Sequence, residues 1–138
     1  MKKFLLLIIL ASFLLTGCGS SQPGNILTGF WDVISYGTAS NQTPTMPNLN
    51  RALIFEADGK FSGNMGCNSF SGNYTITGDT VTIEKTTSTQ LACVPDIIMQ
   101  QEIETLKILT GTLDFKVEGR KLTFTGENGV LHLQVGGN

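Results

Sequence analysis

The stretch between Gly66 and Cys93 leaves this chain the fewest options. It opens with Gly66-Cys67-Asn68-Ser69-Phe70-Ser71-Gly72-Asn73-Tyr74 and closes with Ser88-Thr89-Gln90-Leu91-Ala92-Cys93. Between those ends lies a hairpin-like segment, residues 74–84, which turns at Thr77-Gly78-Asp79. Small and turn-forming residues serve where a backbone bends sharply or comes close to another segment. Whatever the chain folds into must hold a bent hairpin between two cysteines.

The rest of the chain supplies the sheet around it. Short runs at 28–36, 51–56, 61–63, 73–77 and 80–85 read as strands, and the pattern resumes at 113–117, 122–124 and 131–135. Turns fall at Ala57-Asp58-Gly59-Lys60, Gly78-Asp79, Glu118-Gly119-Arg120 and Gly126-Glu127-Asn128-Gly129, where Gly, Asp and Asn supply the positive φ that tight hairpins need. This makes about eight strands, and their short connections make nearly all of them antiparallel. One helix interrupts the series at 95–110. Pro95 suits a first turn, Asp96 complements the dipole, and Gly111 is placed to end the helix in a left-handed cap. At 100° per residue, Ile98, Met99, Ile103, Leu106 and Leu109 form one broad stripe, with Gln100, Glu104 and Lys107 opposite. The expected fold is therefore α+β, an antiparallel barrel-like sheet wrapped around one amphipathic helix. That helix fills space a lipocalin would leave as a cavity. Glu102 falls inside the apolar stripe. Either it accepts hydrogen bonds from the loops near Asn68 or Ser88-Thr89 and pins helix to loop, or it reaches water at the stripe's edge.

Residues 1–17 stand apart from that domain. Lys2 and Lys3 precede an apolar run from Phe4 to Leu15, too short to span a bilayer and laid out like a secretory leader. It ends in Leu15-Thr16-Gly17-Cys18, which resembles the lipobox of bacterial lipoproteins. The expectation is cleavage before Cys18, lipidation of that cysteine, a Gly/Ser-type tether over 18–27 and a domain over 28–136. More than one acyl chain makes such anchoring stable. Gly19 rather than Asp after the lipidated position resembles the signal for the outer membrane, on its periplasmic side. Loss of Lys2 and Lys3 leaves seven basic against eleven acidic residues and no basic patch, which argues against a nucleic-acid partner. With Cys18 assigned to lipid, Cys67 and Cys93 remain in an oxidising compartment, twenty-six positions apart. A bridge between them is worth roughly 3–4 kcal/mol by chain entropy. Two buried free thiols are the other reading. The uncharged segment 37–50, with Met46 and Leu49 among two prolines, reads as a solvated loop, or alternatively as a binding loop.

The motif residues Gly66, Cys67, Asn68, Phe70, Gly72, Tyr74, Ser88, Thr89, Ala92 and Cys93 carry a resemblance to the META domain of HslJ-type bacterial lipoproteins. Gly63, Gly78 and Ile83 extend it, Gly29-Phe30-Trp31 looks like that family's opening Gly-x-Trp, and Glu102 and Leu106 sit where it carries a Glu and a Leu. Gln90-Leu91 departs from the Arg-Met that members often have. The resemblance covers residues 28 to about 135. It implies a barrel-like sheet with one helix, and links to heat or envelope stress, novobiocin tolerance and, in parasites, secretion and virulence. It implies no catalytic residues.

The residues themselves offer little chemistry. The sole histidine, His132, lies between Leu131 and Leu133 in a strand, with no nucleophile placed beside it by sequence. One histidine and two separated cysteines make no zinc set, and nothing calls for a cofactor. The expectation is a non-catalytic envelope lipoprotein that binds a protein or an apolar ligand at one barrel end, through Met46, Leu49 and the loop up to Phe70. An enzyme-directed inhibitor or an envelope hydrolase is the alternative. A convergent polar pocket at His132 favours an enzyme, and an apolar patch at one barrel mouth favours binding.

Overall fold

The computed structural model describes residues 26–137, without the side chain of Lys85. The leader, Cys18 and the tether up to residue 25 lie outside the described residues. The elements are β1 (Gly29–Thr38), β2 (Asn41–Pro44), β3 (Arg51–Phe55), β4 (Lys60–Met65), β5 (Ser69–Thr77), β6 (Thr80–Ser88), α1 (Asp96–Ile108), β7 (Gly111–Glu118), β8 (Lys121–Gly126) and β9 (Gly129–Val135). Each strand pairs antiparallel with its neighbour, and β9 returns to β1 through Trp31↔Val135 to Gly37↔Val130. Eight strands thereby close into a barrel. β2 is extra: β1 gives its first half to β3 (Gly29↔Phe55) and its second half to β2 (Ser35↔Pro44). The α+β antiparallel barrel with one helix is the architecture expected from alternation and turn chemistry.

Three local expectations give way. Residues 41–44 of the supposed loop are a strand. The remainder of that loop is held down, since Arg51 donates to the carbonyls of Met46 and Leu49 and Thr45 Oγ1 donates to that of Val33. β5 starts at Ser69 and β6 runs to Ser88, both longer than the apolar alternation suggests. Gly72 breaks the pattern but not the strand, because a Cβ there would lie 2.7 Å from the ring of Phe61.

Rings fill the barrel. Phe55 meets Tyr74 edge-on with centroids 5.1 Å apart, and Phe61 and Phe124 approach Phe55 at 6.0 and 5.9 Å. Leu53, Leu122 and Leu131 pack with them, fully buried. Each such side chain contributes about 1.5–3 kcal/mol of burial. Tyr74 also satisfies its hydroxyl, which donates to the Glu56 carbonyl at 2.7 Å.

The helix lies across one mouth of the barrel, not down its axis. Ile98 sits against Gly66 at one rim and Ile108 against Gly129 at the other, about 15 Å apart at 1.5 Å per residue. Both glycines are in positive φ, and a Cβ at Gly129 would lie 2.5 Å from the Gly37 carbonyl oxygen, so neither position accepts a side chain. The face turned inward is Ile98, Gln101, Glu102, Thr105 and Ile108. It is rotated by about a quarter turn from the apolar stripe, leaving Ile103 59 % exposed. Pro95 is the N-cap, Leu109 the C-cap, and Gly111, at φ +78°, turns the chain into β7.

Two predictions follow from this packing. Among the described residues, the buried Thr105 Oγ1 finds no hydrogen-bond partner. Thr105→Val keeps the shape and removes the unmet hydroxyl, so it should raise stability by about 1 kcal/mol in urea denaturation. Burial pushes the phenols of Tyr36 and Tyr74 above their ordinary 10.0, with a smaller contribution from Glu104 at Tyr36. Their neutral forms are favoured in the fold, so stability should be complete below pH 10 and fall as pH rises beyond it, read by melting temperature against pH.

Candidate functional site

Asn68 is the hub of the rim. It follows Gly66, whose φ of +115° turns the chain out of β4, and Cys67, which begins the disulfide. Its backbone N–H donates to Glu102 Oε2 at 2.6 Å, and its Nδ2 donates to Glu102 Oε1 at 2.7 Å. Its Oδ1 accepts from the Leu91 N–H at 2.7 Å and from Thr89 Oγ1 at 2.8 Å, and Nδ2 also reaches the Leu91 carbonyl at 3.3 Å. Both carboxylate oxygens of Glu102 accept, which is the arrangement a buried carboxylate requires. Of the loops within its reach, Glu102 bonds the one at Asn68 and not Ser88-Thr89.

Covalent geometry supports the same corner. Cys67 and Cys93 are bonded, with Cα atoms 5.9 Å apart. Gln101, a fully buried neighbour of Glu102, donates Nε2 to the Met65 carbonyl at 2.8 Å and accepts the Met46 N–H at 2.7 Å. Sequence reasoning did not single out Gln101, because a glutamine beside an apolar stripe reads as solvated. Its partners are main-chain groups that become neighbours only when the barrel closes.

Held by this network, residues 91–97 present apolar side chains to solvent. Leu91 is 61 % exposed, Val94 85 % and Ile97 44 %. Large apolar side chains exposed together within seven positions mark a contact surface, unlike apolar residues scattered singly. The proposed contact residues fare differently. Phe70 points into the core at 2 % exposure and so cannot touch a partner. Strand alternation puts Ser69 and Ser71 outside and Phe70 inside. Met46 and Leu49 are half-buried, Leu49 beneath the rim against Gly66. Of the other motif residues, Gly72 and Tyr74 serve the core, while Ser88, Thr89 and Ala92 lie exposed at the rim.

His132 sits on the outer wall, in a shallow cleft of about 270 Å³ with Glu118, Lys121, Thr123 and Gln134. Register places a hydroxyl that sequence did not: Thr123 Oγ1 is 3.2 Å from His132 Nδ1. Among the described residues no carboxylate bonds the imidazole, so the pair lacks the group that would orient it. A second outer cleft, about 460 Å³, has Phe70 in its lining together with the uncharged side chains of Ser62, Ser69, Ser71, Thr87, Ser88 and Thr89. Among the described residues no group of His, Cys, Asp and Glu is clustered to hold a metal, and no helix is long and apolar enough to cross a membrane.

The hub has a measurable weight. Asn68→Ala keeps the backbone N–H bond to Glu102 but removes the Nδ2 bond to that buried carboxylate, the Nδ2 bond to the Leu91 carbonyl and the two acceptor contacts that hold residues 89–91. It should cost about 3–5 kcal/mol in chemical denaturation, whereas Ile103→Ala, on the exposed flank, should stay within about 0.5 kcal/mol.

Comparison with known proteins bears on the fold. A solved protein from Burkholderia xenovorans superposes with a TM-score of 0.68 at 17 % identity, covering 83 % of this chain and 87 % of that one. A second solved protein gives 0.63 at 16 % identity, with coverage of 79 % and 90 %. A duf4847 family protein from Bacteroides vulgatus gives 0.55 at 17 % identity, covering 81 % and 95 %. At such identities the likeness is one of fold. No curated protein matches the chain. The META domain model matches residues 25–135, the whole of the barrel with its helix, and the chain belongs to the META domain family.

Proposed function

We propose that this META-domain chain is a non-catalytic, lipid-anchored lipoprotein of the bacterial envelope that binds a partner protein at the mouth sealed by α1, in a role in stress tolerance. The observation that carries the reading is the exposed apolar run of Leu91, Val94 and Ile97, held in place by the disulfide and by Asn68. Protein-binding surfaces combine such apolar anchors with a rigid support. A barrel whose lumen is filled by Phe55, Phe61 and Phe124 favours a protein over an apolar ligand inside.

Attachment at Cys18 suits this arrangement. β1 starts at the end of the barrel opposite α1, since Gly29 pairs with Phe55 beside the β3–β4 turn. Eight residues from Cys18 to Ile26 reach at most about 27 Å. A chain held there presents its helix-sealed mouth away from the bilayer. The same rigid loop also suits an inhibitor that inserts into an enzyme, so that reading stands second.

Two measurements test the proposal in cells. Cys18→Ser should abolish palmitate labelling and move the chain from the membrane pellet to the soluble fraction. A photoreactive residue at Val94 should give a discrete adduct, while one at Asp79, in the turn at the other mouth, should give none. Retained labelling of Cys18→Ser overturns the anchor, and equal or absent adducts at both positions overturn the binding surface.

A further inference from the structure

Among the described residues, the ladder of the barrel is interrupted beside the upper part of β6. The partner strand β7 stops at Ile83↔Gly111, while pairing with β5 continues to Phe70↔Ser88. Residues 84–88 therefore have one paired edge and one open one. The helix packs chiefly on β1, β4 and β9.

Register shows which groups face the opening. Phe115 N–H donates to the Asp79 carbonyl, so in the lower part of β6 the odd-numbered residues bond β7. Between Glu84 and Thr87 one extra residue faces β5, a bulge that reverses this parity. Above it Thr89 N–H donates to the Ser69 carbonyl, so residues 87 and 89 bond β5. The main-chain N–H and C=O of Thr86 and Ser88 consequently point into the open side. Both side chains are exposed there as well.

The flank of α1 nearest this edge is apolar. Gln101 bonds Met46, in the segment that follows β2, and the helix packs on β1, so that side of the helix faces β1 and its neighbour. On the side away from β1, the one nearer β6 and β7, the wheel places Met99 and Leu106, with Ile103 further round toward solvent. These are residues of the apolar stripe that the barrel itself leaves partly uncovered.

We propose that the open edge of β6 at residues 84–88 receives an extended segment of a partner protein as an added strand, whose alternate apolar side chains pack on Met99, Ile103 and Leu106. This rests on the partner-binding reading above and names the form of the partner. Unpaired main-chain groups recognise a strand, and neighbouring pockets select its alternate side chains. A second copy of this chain fits poorly. Its own edge is Glu84-Lys85-Thr86-Thr87-Ser88, which has no apolar residue to set against the helix flank.

The test uses the full chain and a peptide probe, acetyl-Lys-Val-Thr-Val-Thr-Val-Lys-amide, with a control in which the middle valine is proline. The valine peptide should slow hydrogen exchange at the Thr86 and Ser88 amides at least tenfold, and the control should not. Thr86→Pro removes an outward N–H from an edge position, where proline is tolerated. It should weaken peptide binding at least tenfold with the melting temperature held, and Ile103→Lys should weaken it as well. No protection at millimolar peptide, or protection elsewhere, overturns the proposal. Protection that grows with protein concentration and needs no peptide also overturns it, because a second copy is then the occupant. A Val94 adduct that survives Thr86→Pro in cells would leave the partner-binding reading standing and remove strand addition alone.

Discussion

A closed barrel solves the problem of sheet edges along its walls and leaves it unsolved at its ends. Where strands stop, main-chain groups stop finding one another, and any element laid across the mouth must answer them. That requirement explains why α1 turns Gln101 and Glu102 inward in preference to Ile103. An all-apolar face would have covered the Met65 carbonyl and the Met46 and Asn68 N–H groups without bonding them, and each orphaned group costs about 1–3 kcal/mol. Burying one amide and one carboxylate with complete partners is the lower-energy arrangement. The exposed apolar flank is its consequence.

Asn68 then joins two scales of order. Locally, it uses donor and acceptor together to tie residues 89–91 to the rim. Over a longer range, its bonds to Glu102 fix the helix to that same rim, and the Cys67–Cys93 bridge holds the segment leading into the helix. The apolar side chains of Leu91 and Val94 are consequently held out on a braced loop. A surface ordered before contact loses less conformational entropy on binding. Rigidity here comes from polar chemistry beside the core and not from the core itself.

Much of this was legible in the sequence where it depended on neighbours along the chain. Turn residues such as Asp58-Gly59 and Gly119-Arg120 marked the hairpins, and Pro95 and Gly111 bracketed the helix within two residues. The Gly66-Cys67-Asn68 motif pointed to the corner that became the hub. Illegible features depended on closure. Which face of α1 turns inward is decided by main-chain groups of β4 and of the segment after β2, distant in sequence. The burial of Phe70 followed from an alternation hidden by the glycine and serines around it. The proximity of Thr123 to His132 is a matter of register, which local pattern does not carry. Cys18 and the leader remain a sequence argument, lying outside the described residues.

The shortness of β7 links these points. α1 has to cross from the β4–β5 corner to the β8–β9 turn, and the chain must then descend into β7 at Gly111. By that point β6 has already risen five residues above the last rung it shares with β7. Proteins usually blunt such an edge with a bulge, a charge or a proline. Here the bulge lies on the β5 side and aims Thr86 and Ser88 outward, no proline occurs between Thr80 and Ser88, and the charged residues Glu84 and Lys85 stand at the lower end of the edge, below Thr86 and Ser88. The segment is also too short, and too rich in hydroxyls, to aggregate readily by itself. An edge left open, braced from below and flanked by unburied apolar residues is a geometry that selects for a strand from elsewhere. The connection that seals the barrel is also the one that leaves this edge free.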